Sequence, residues 1–170
     1  VGSFYHVSND KLRMGTILRP QYGASVCNEM LFVNNNQRYA QYLKEKIFEE
    51  IRIEEFPTLP SRIKSVYIVR DLESAIKYKE DKEKKYIYEV EIENVDEALS
   101  VDMCWMDLSM FQRYEVVREM ARYYYHQKSV NDDCCDWGIY EGSEEGIDSF
   151  WEILYEGKVS IKRLVTSEEL

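Results

Sequence analysis

Two prolines three positions apart, in Phe56-Pro57-Thr58-Leu59-Pro60, set a hard boundary inside this 170-residue chain. Each lacks a backbone N–H and pushes the residue before it out of helical conformation, so no helix or central strand runs through the pair. Upstream, Ala40, Leu43, Ile47 and Ile51 recur at three- and four-residue steps after the capping run Asn34-Asn35-Asn36. That spacing predicts one amphipathic helix with these residues on its core face. Downstream, Ser65-Val66-Tyr67-Ile68-Val69 is rich in β-branched and aromatic residues, as a strand requires. The chain must pass from helix through a turn into a strand.

The other segments mix both types without order. Phe4-Tyr5-His6-Val7-Ser8 reads as a short first strand carrying one of only two histidines, followed by a turn-rich stretch from Asn9 to Pro20. Asp71 is placed to cap a helix from Leu72 to Tyr78, the charged run Lys79 to Lys85 reads as a solvated connection, and Tyr86 to Ile92 alternates as a half-buried strand. A helix is expected from about Ser109, with Tyr114, Val117, Ala121 and Tyr124 on one face. Asn131 to Gly146 reads as an acidic loop leading to a short helix near Ile147 to Trp151. Glu152 to Tyr155 and Val159 to Leu164 flank Glu156-Gly157-Lys158 as a hairpin would. Strands and helices without βαβ alternation predict an α+β fold in one domain, residues 1–170.

Composition narrows the chemistry. Acidic residues outnumber basic ones 32 to 22, and the net charge of -10 opposes general attraction to a phosphate backbone. Arg13, Arg19, Arg52, Arg62, Lys64 and Arg70 nevertheless cluster in the first half and leave room for a local basic groove. Cys27, Cys104, Cys134 and Cys135 form no cysteine-histidine set at zinc spacing. Asp132, Asp133 and Asp136 around Cys134-Cys135 lack the glycine and terminal glutamate of a calcium loop, so no metal site is expected. No charged leader precedes an apolar stretch and no apolar run approaches a membrane span, which predicts a soluble, cytoplasmic protein. Neither glycine-rich phosphate-loop pattern is present.

Phe4-Tyr5-His6-Val7-Ser8, Leu12 with Gly15, Leu18 with Pro20, and Ser65-Val66-Tyr67-Ile68 running into Leu72 and Ala75 together resemble the ADP-ribosyltransferase superfamily. The likeness is to the small rifampin-modifying type and uncharacterised bacterial relatives, and it covers about half of the chain. The helix from Asn36 to Glu54 departs from that type, so its substrate does not carry over. The resemblance implies split antiparallel sheets with flanking helices and an enzyme that transfers ADP-ribose from NAD to an acceptor, releasing nicotinamide.

The same resemblance implies site roles. His6 would donate a hydrogen bond to the adenosine-side ribose, Ser8 would help hold the nicotinamide portion, Tyr67 would stack on its ring, and Tyr78 would close the other side. A third polar position stabilises the oxocarbenium-like centre formed on bond cleavage. Asp102 resembles the acidic residue of the rifampin-modifying type and is preferred, whereas Glu152 resembles the glutamate opening a late strand in the poly- and mono-ADP-ribosylating branches. Arg62, just ahead of the Tyr67 strand, could reach an NAD phosphate or an acidic target.

Each residue also has a plainer reading. His6 and Tyr67 fit ordinary strand positions, Asp102 fits a turn or helix cap, Arg62 fits a surface arginine, and His126 after three tyrosines fits packing. Two further functions stay open: a catalytically silent module binding a nucleotide or protein, and a toxin or defence effector modifying nucleic acid or protein. The acceptor, whether small molecule, protein or nucleic acid, is not legible, nor is the oligomeric state.

Overall fold

Among the described residues the extended segments sort into two three-stranded antiparallel sheets, ordered β1-β3-β6 and β2-β5-β4. The computed structural model describes residues 3–132, 148–166 and 168–169. The first sheet combines β1 (Phe4–Ser8), β3 (Tyr86–Ile92) and β6 (Val159–Leu164), with Phe4 opposite Val90 and Ile92 opposite Val159. The second combines β2 (Val66–Ile68), β5 (Trp151–Tyr155) and β4 (Leu99–Asp102). One bridge joins the sheets: the Tyr5 and Val69 N–H groups each donate to the other residue's carbonyl, at 2.9 and 2.8 Å.

Period-two burial explains the layers. Phe4, Tyr88, Val90, Val66, Ile68, Ile153 and Tyr155 fill the core between the sheets. Leu99, Val101 and Leu154 point the other way, onto α3 (Asn36–Glu55), α5 (Cys104–Leu108) and α6 (Tyr114–Tyr125). Helix α4 (Leu72–Asp81) covers the outer side of the first sheet through Ala75, against Val69 and Ile87. Capping follows the side-chain chemistry: the Asp71 carboxylate accepts from Ser74 N at 2.7 Å, and the Asn35 amide oxygen accepts from Arg38 N at 3.1 Å.

Several expectations change. The last two strands form no hairpin; residues 156–158 carry the chain from one sheet to the other, and Tyr155 and Val159 meet in the inter-sheet core instead of pairing. The segment before α3 holds two short helices, α1 (Gln21–Val26) and α2 (Glu29–Phe32). Helix α6 starts at Tyr114, after the separate turn of α5. Of the short helix expected near Ile147 to Trp151, residues 148–150 are irregular and Trp151 opens β5, while Ile147 and the acidic loop around Cys134-Cys135 lie outside the described residues.

The α3 result matters most. Its buried face is Lys44, Glu45, Phe48 and Ile51, whereas Leu43 is exposed. The helix is rotated from the orientation its apolar spacing predicts, because its inner face meets a buried arginine.

Candidate functional site

A cleft of about 570 Å³ opens where β1 and β2 part beyond the Tyr5–Val69 bridge. Its walls come from β1, β2, α1, α3, α4, α5 and the start of β5. The turn after β1 is held by Tyr88, whose hydroxyl accepts from Leu12 N at 2.8 Å and donates to Asp10 O at 3.0 Å. Helix α1 closes on the chain before β2 because Gly23 has no side chain: a Cβ there would stand 1.8 Å from Ile63 O.

His6, Ser8, Tyr67, Tyr78, Arg62 and Glu152 all line this cleft. His6 Nδ1 lies 3.0 Å from the Tyr67 carbonyl oxygen. A carbonyl only accepts, so Nδ1 carries the proton and Nε2 of the neutral ring is an acceptor. Burial pushes the His6 pKa below its usual value, the Tyr67 hydrogen bond opposing and Lys84 adding to the shift. With Nδ1 engaged, the neutral ring has no second N–H for the donating role expected of it, and Nε2 can only accept.

Tyr67 donates its hydroxyl to Arg62 O at 2.8 Å. The Arg62 guanidinium carbon lies 5.2 Å from its ring centroid and Tyr22 meets it edge-on at 5.4 Å, so a flat ligand ring has at most one face of Tyr67 available. Tyr78 packs at 5.6 Å from Phe150, and the Ser8 hydroxyl accepts from Asp10 N at 3.1 Å.

Arg62 is buried and its donors are engaged, in contrast to the phosphate-reaching role expected of it. Nε donates to Glu45 Oε2 at 3.0 Å, Nη1 to Glu152 Oε1 at 2.8 Å and to the Tyr124 hydroxyl, and Nη2 to Glu45 Oε1 at 3.4 Å. The Tyr124 hydroxyl donates to Glu152 Oε1 at 3.2 Å, and the Tyr22 hydroxyl donates to Glu45 Oε1 at 2.5 Å. Burial raises the Glu152 pKa above the usual carboxylate range, with Arg62 and Tyr124 opposing and Glu45 adding. Arg62 thus fixes two glutamates and three tyrosine rings under the cleft.

Asp102 lies elsewhere. Val101 is opposite Glu152 in the β4–β5 ladder, so Asp102, one position on, points to the other face of the sheet. There Oδ1 accepts from Cys104 N and Phe150 N at 3.0 and 3.3 Å, and Oδ2 from Val130 N and Ser149 Oγ at 2.9 and 2.6 Å. Asp102 is fully buried and is not among the cleft-lining residues. The preference for Asp102 over Glu152 reverses on geometry.

Sequence reasoning did not single out Tyr22, Glu45, Lys44 or Tyr124 as site residues. The available signal was a Lys-Glu pair between apolar positions of α3, which a helix buries only when a partner neutralises it. Outside the Arg62 cluster, Arg19, Lys44, Lys82 and Lys84 line the cleft against Asp10 and Asp107, a local excess of positive charge on an acidic chain. The volume, the basic lining and the aromatic wall suit an anionic ligand with a flat ring.

Residues 6–165 match the family described as Protein of unknown function (DUF2441). The chain belongs to the DUF2441 family. The DUF2441 span runs from His6 to Val165 and so includes both sheets apart from Phe4 and Tyr5 of β1, and every cleft residue named above except Tyr5. No curated protein matches the chain. Among the described residues no group of three or more His, Cys, Asp or Glu is placed to hold a metal, and no helix is long and apolar enough to cross a membrane.

Proposed function

We propose that this DUF2441 member is an NAD-dependent ADP-ribosyltransferase of the cytoplasm, with the split-sheet fold of that superfamily. One observation carries the reading: three strands, β1, β2 and β5, bring His6, Tyr67 and Glu152 to one cleft, in the strand order that the resemblance implies. The residues fit NAD. His6 Nε2 is available to accept from a ribose hydroxyl, Tyr67 and Tyr78 both line the cleft with at most one face of the Tyr67 ring left for nicotinamide, and the basic lining suits the pyrophosphate.

Breaking the nicotinamide–ribose bond develops positive charge at the ribose carbon, as glycoside cleavage does. Glu152, held by Arg62 and Tyr124, is the carboxylate that would stabilise that charge. The acceptor is a nucleophile on a molecule still to be identified.

A second reading, a catalytically silent nucleotide- or protein-binding module, is favoured by the burial of Glu152 and its engagement with Arg62. One experiment separates the two: incubation with NAD and cell extract while following free nicotinamide, in wild type, Tyr67→Ala and Glu152→Gln. Release by wild type and loss in both variants supports the transferase. An NAD-induced thermal shift without release supports the binding module, and the absence of both responses removes the transferase and any NAD-binding module.

A further inference from the structure

Among the described residues, helix α3 carries an apolar stripe that is only partly covered. Ala40, Leu43, Ile47 and Ile53 line a groove of about 840 Å³ between α3 and the α5–α6 turn, with Tyr114 and Val117 on the far wall. Leu43 is 43% exposed, Ile53 58% and Phe111 75%. Phe111 sits in that turn at φ 60, a left-handed conformation that bulky residues rarely adopt. The strain holds an aromatic ring at the groove edge with most of its surface in solvent.

The charges on this face identify the occupant. Lys46 and Glu50 both line the groove and are exposed, four residues apart on α3. When two copies of the helix pack antiparallel about a two-fold axis beside residue 48, Lys46 of each copy lies opposite Glu50 of the other. The same register sets Leu43 opposite Ile53. Two apolar and two charged pairings then come from one symmetric contact, the self-complementarity that a closed two-fold interface requires. Glu50 is already oriented, accepting from the Tyr114 hydroxyl at 3.1 Å with Arg118 Nη1 at 3.6 Å.

We propose that this face of α3 is the interface of a homodimer, with Phe111 of each copy covering the end of the other's stripe. The opposite face of α3 supplies Glu45 to the Arg62 cluster, while Lys44, at the margin between the faces, lines both the groove and the cleft. Dimerisation therefore braces the helix behind the site, and the inference does not depend on what the cleft binds.

Sedimentation velocity on the full chain tests it. Wild type is expected to sediment as a dimer, and Leu43→Arg/Ile53→Arg as a monomer with an unchanged circular dichroism spectrum. Lys46→Glu and Glu50→Lys alone each weaken the dimer by about tenfold through like-charge contacts. Mixed together they form a heterodimer of near wild-type affinity, because each repulsive pair becomes attractive. A wild type that stays monomeric to its solubility limit overturns the proposal, as does a dimer that persists in the double-arginine variant. A mixture no tighter than its components overturns the antiparallel register.

Discussion

Arg62 Nη1 stands 2.8 Å from Glu152 Oε1, with both side chains less than a tenth exposed. The same guanidinium holds Glu45 at 3.0 Å. One cation therefore neutralises two carboxylates contributed by α3 and β5, and in doing so ties a helix to a sheet across the floor of the cleft. The arrangement is costly to desolvate and costlier to interrupt, because removing the cation leaves two largely buried carboxylates without their counter-charge.

Arg62→Ala is accordingly expected to destabilise the fold by about 3–5 kcal/mol. At roughly 2–4 °C per kcal/mol for a chain of this size, the thermal midpoint falls by about 6–20 °C. Arg62→Lys keeps the charge but loses the fork that serves both carboxylates, so it lies between Ala and wild type. Melts of the three proteins at pH 7 decide the matter; equal midpoints would mean that the cluster carries no net structural role.

Asp102 behaves differently although it is equally buried. Asp102→Asn turns one acceptor oxygen into a donor facing groups that already donate, at about 1–3 kcal/mol for each one left without an acceptor. The expected result is a lower melting temperature with any NAD-induced thermal shift retained. Loss of that shift in a protein whose circular dichroism is otherwise native would return Asp102 to the site.

These two carboxylates show where the sequence is legible. Strand identity could be read locally: the alternation over Tyr86 to Ile92 coincides with β3, and the helix boundary before Pro57 lies within one or two residues of the end of α3 at Glu55. Facing could not. Glu152 reads as an acidic residue on a strand and Asp102 as a turn or helix cap, whereas Asp102 ends strand β4 and the β4–β5 register, which pairs Val101 with Glu152, sends the two to opposite faces. The three-residue link 156–158 has hairpin length, yet Val66, Tyr67 and Ile68 occupy one side of β5 and Leu99 to Asp102 the other, so β6 finds its partner in β3. The rotation of α3 was hidden for the same reason: Glu45 turns inward toward an arginine 17 positions away, a pairing no helical period encodes.

Gly23 tests the entry of α1 into the cleft wall. A Cβ would meet Ile63 O at 1.8 Å and Ile63 C at 2.6 Å, both backbone atoms that cannot swing aside as a side chain can. Gly23→Ala should destabilise by about 1–3 kcal/mol through overpacking. Because Tyr22 adjoins it and donates to Glu45, the displacement reaches the Arg62 cluster. Urea unfolding that shows an unchanged midpoint would contradict the close approach.

The pH dependence follows from His6. Burial lowers its pKa below 6.5, against the hydrogen bond to Tyr67 O and with Lys84 assisting. The unfolded chain therefore takes up this proton first. Above about pH 6.5 neither state is protonated and His6 adds no pH dependence; below it, the unfolded state binds more protons and stability falls until the folded-state pKa is reached. His6→Asn keeps an N–H to offer the Tyr67 carbonyl but does not titrate. The melting-temperature difference, wild type minus variant, is expected to be level from pH 8 to about 6.5 and to decline steadily toward pH 5. A difference that rises on acidification would show that the folded state stabilises the imidazolium, and the accepting role assigned to Nε2 would then be wrong.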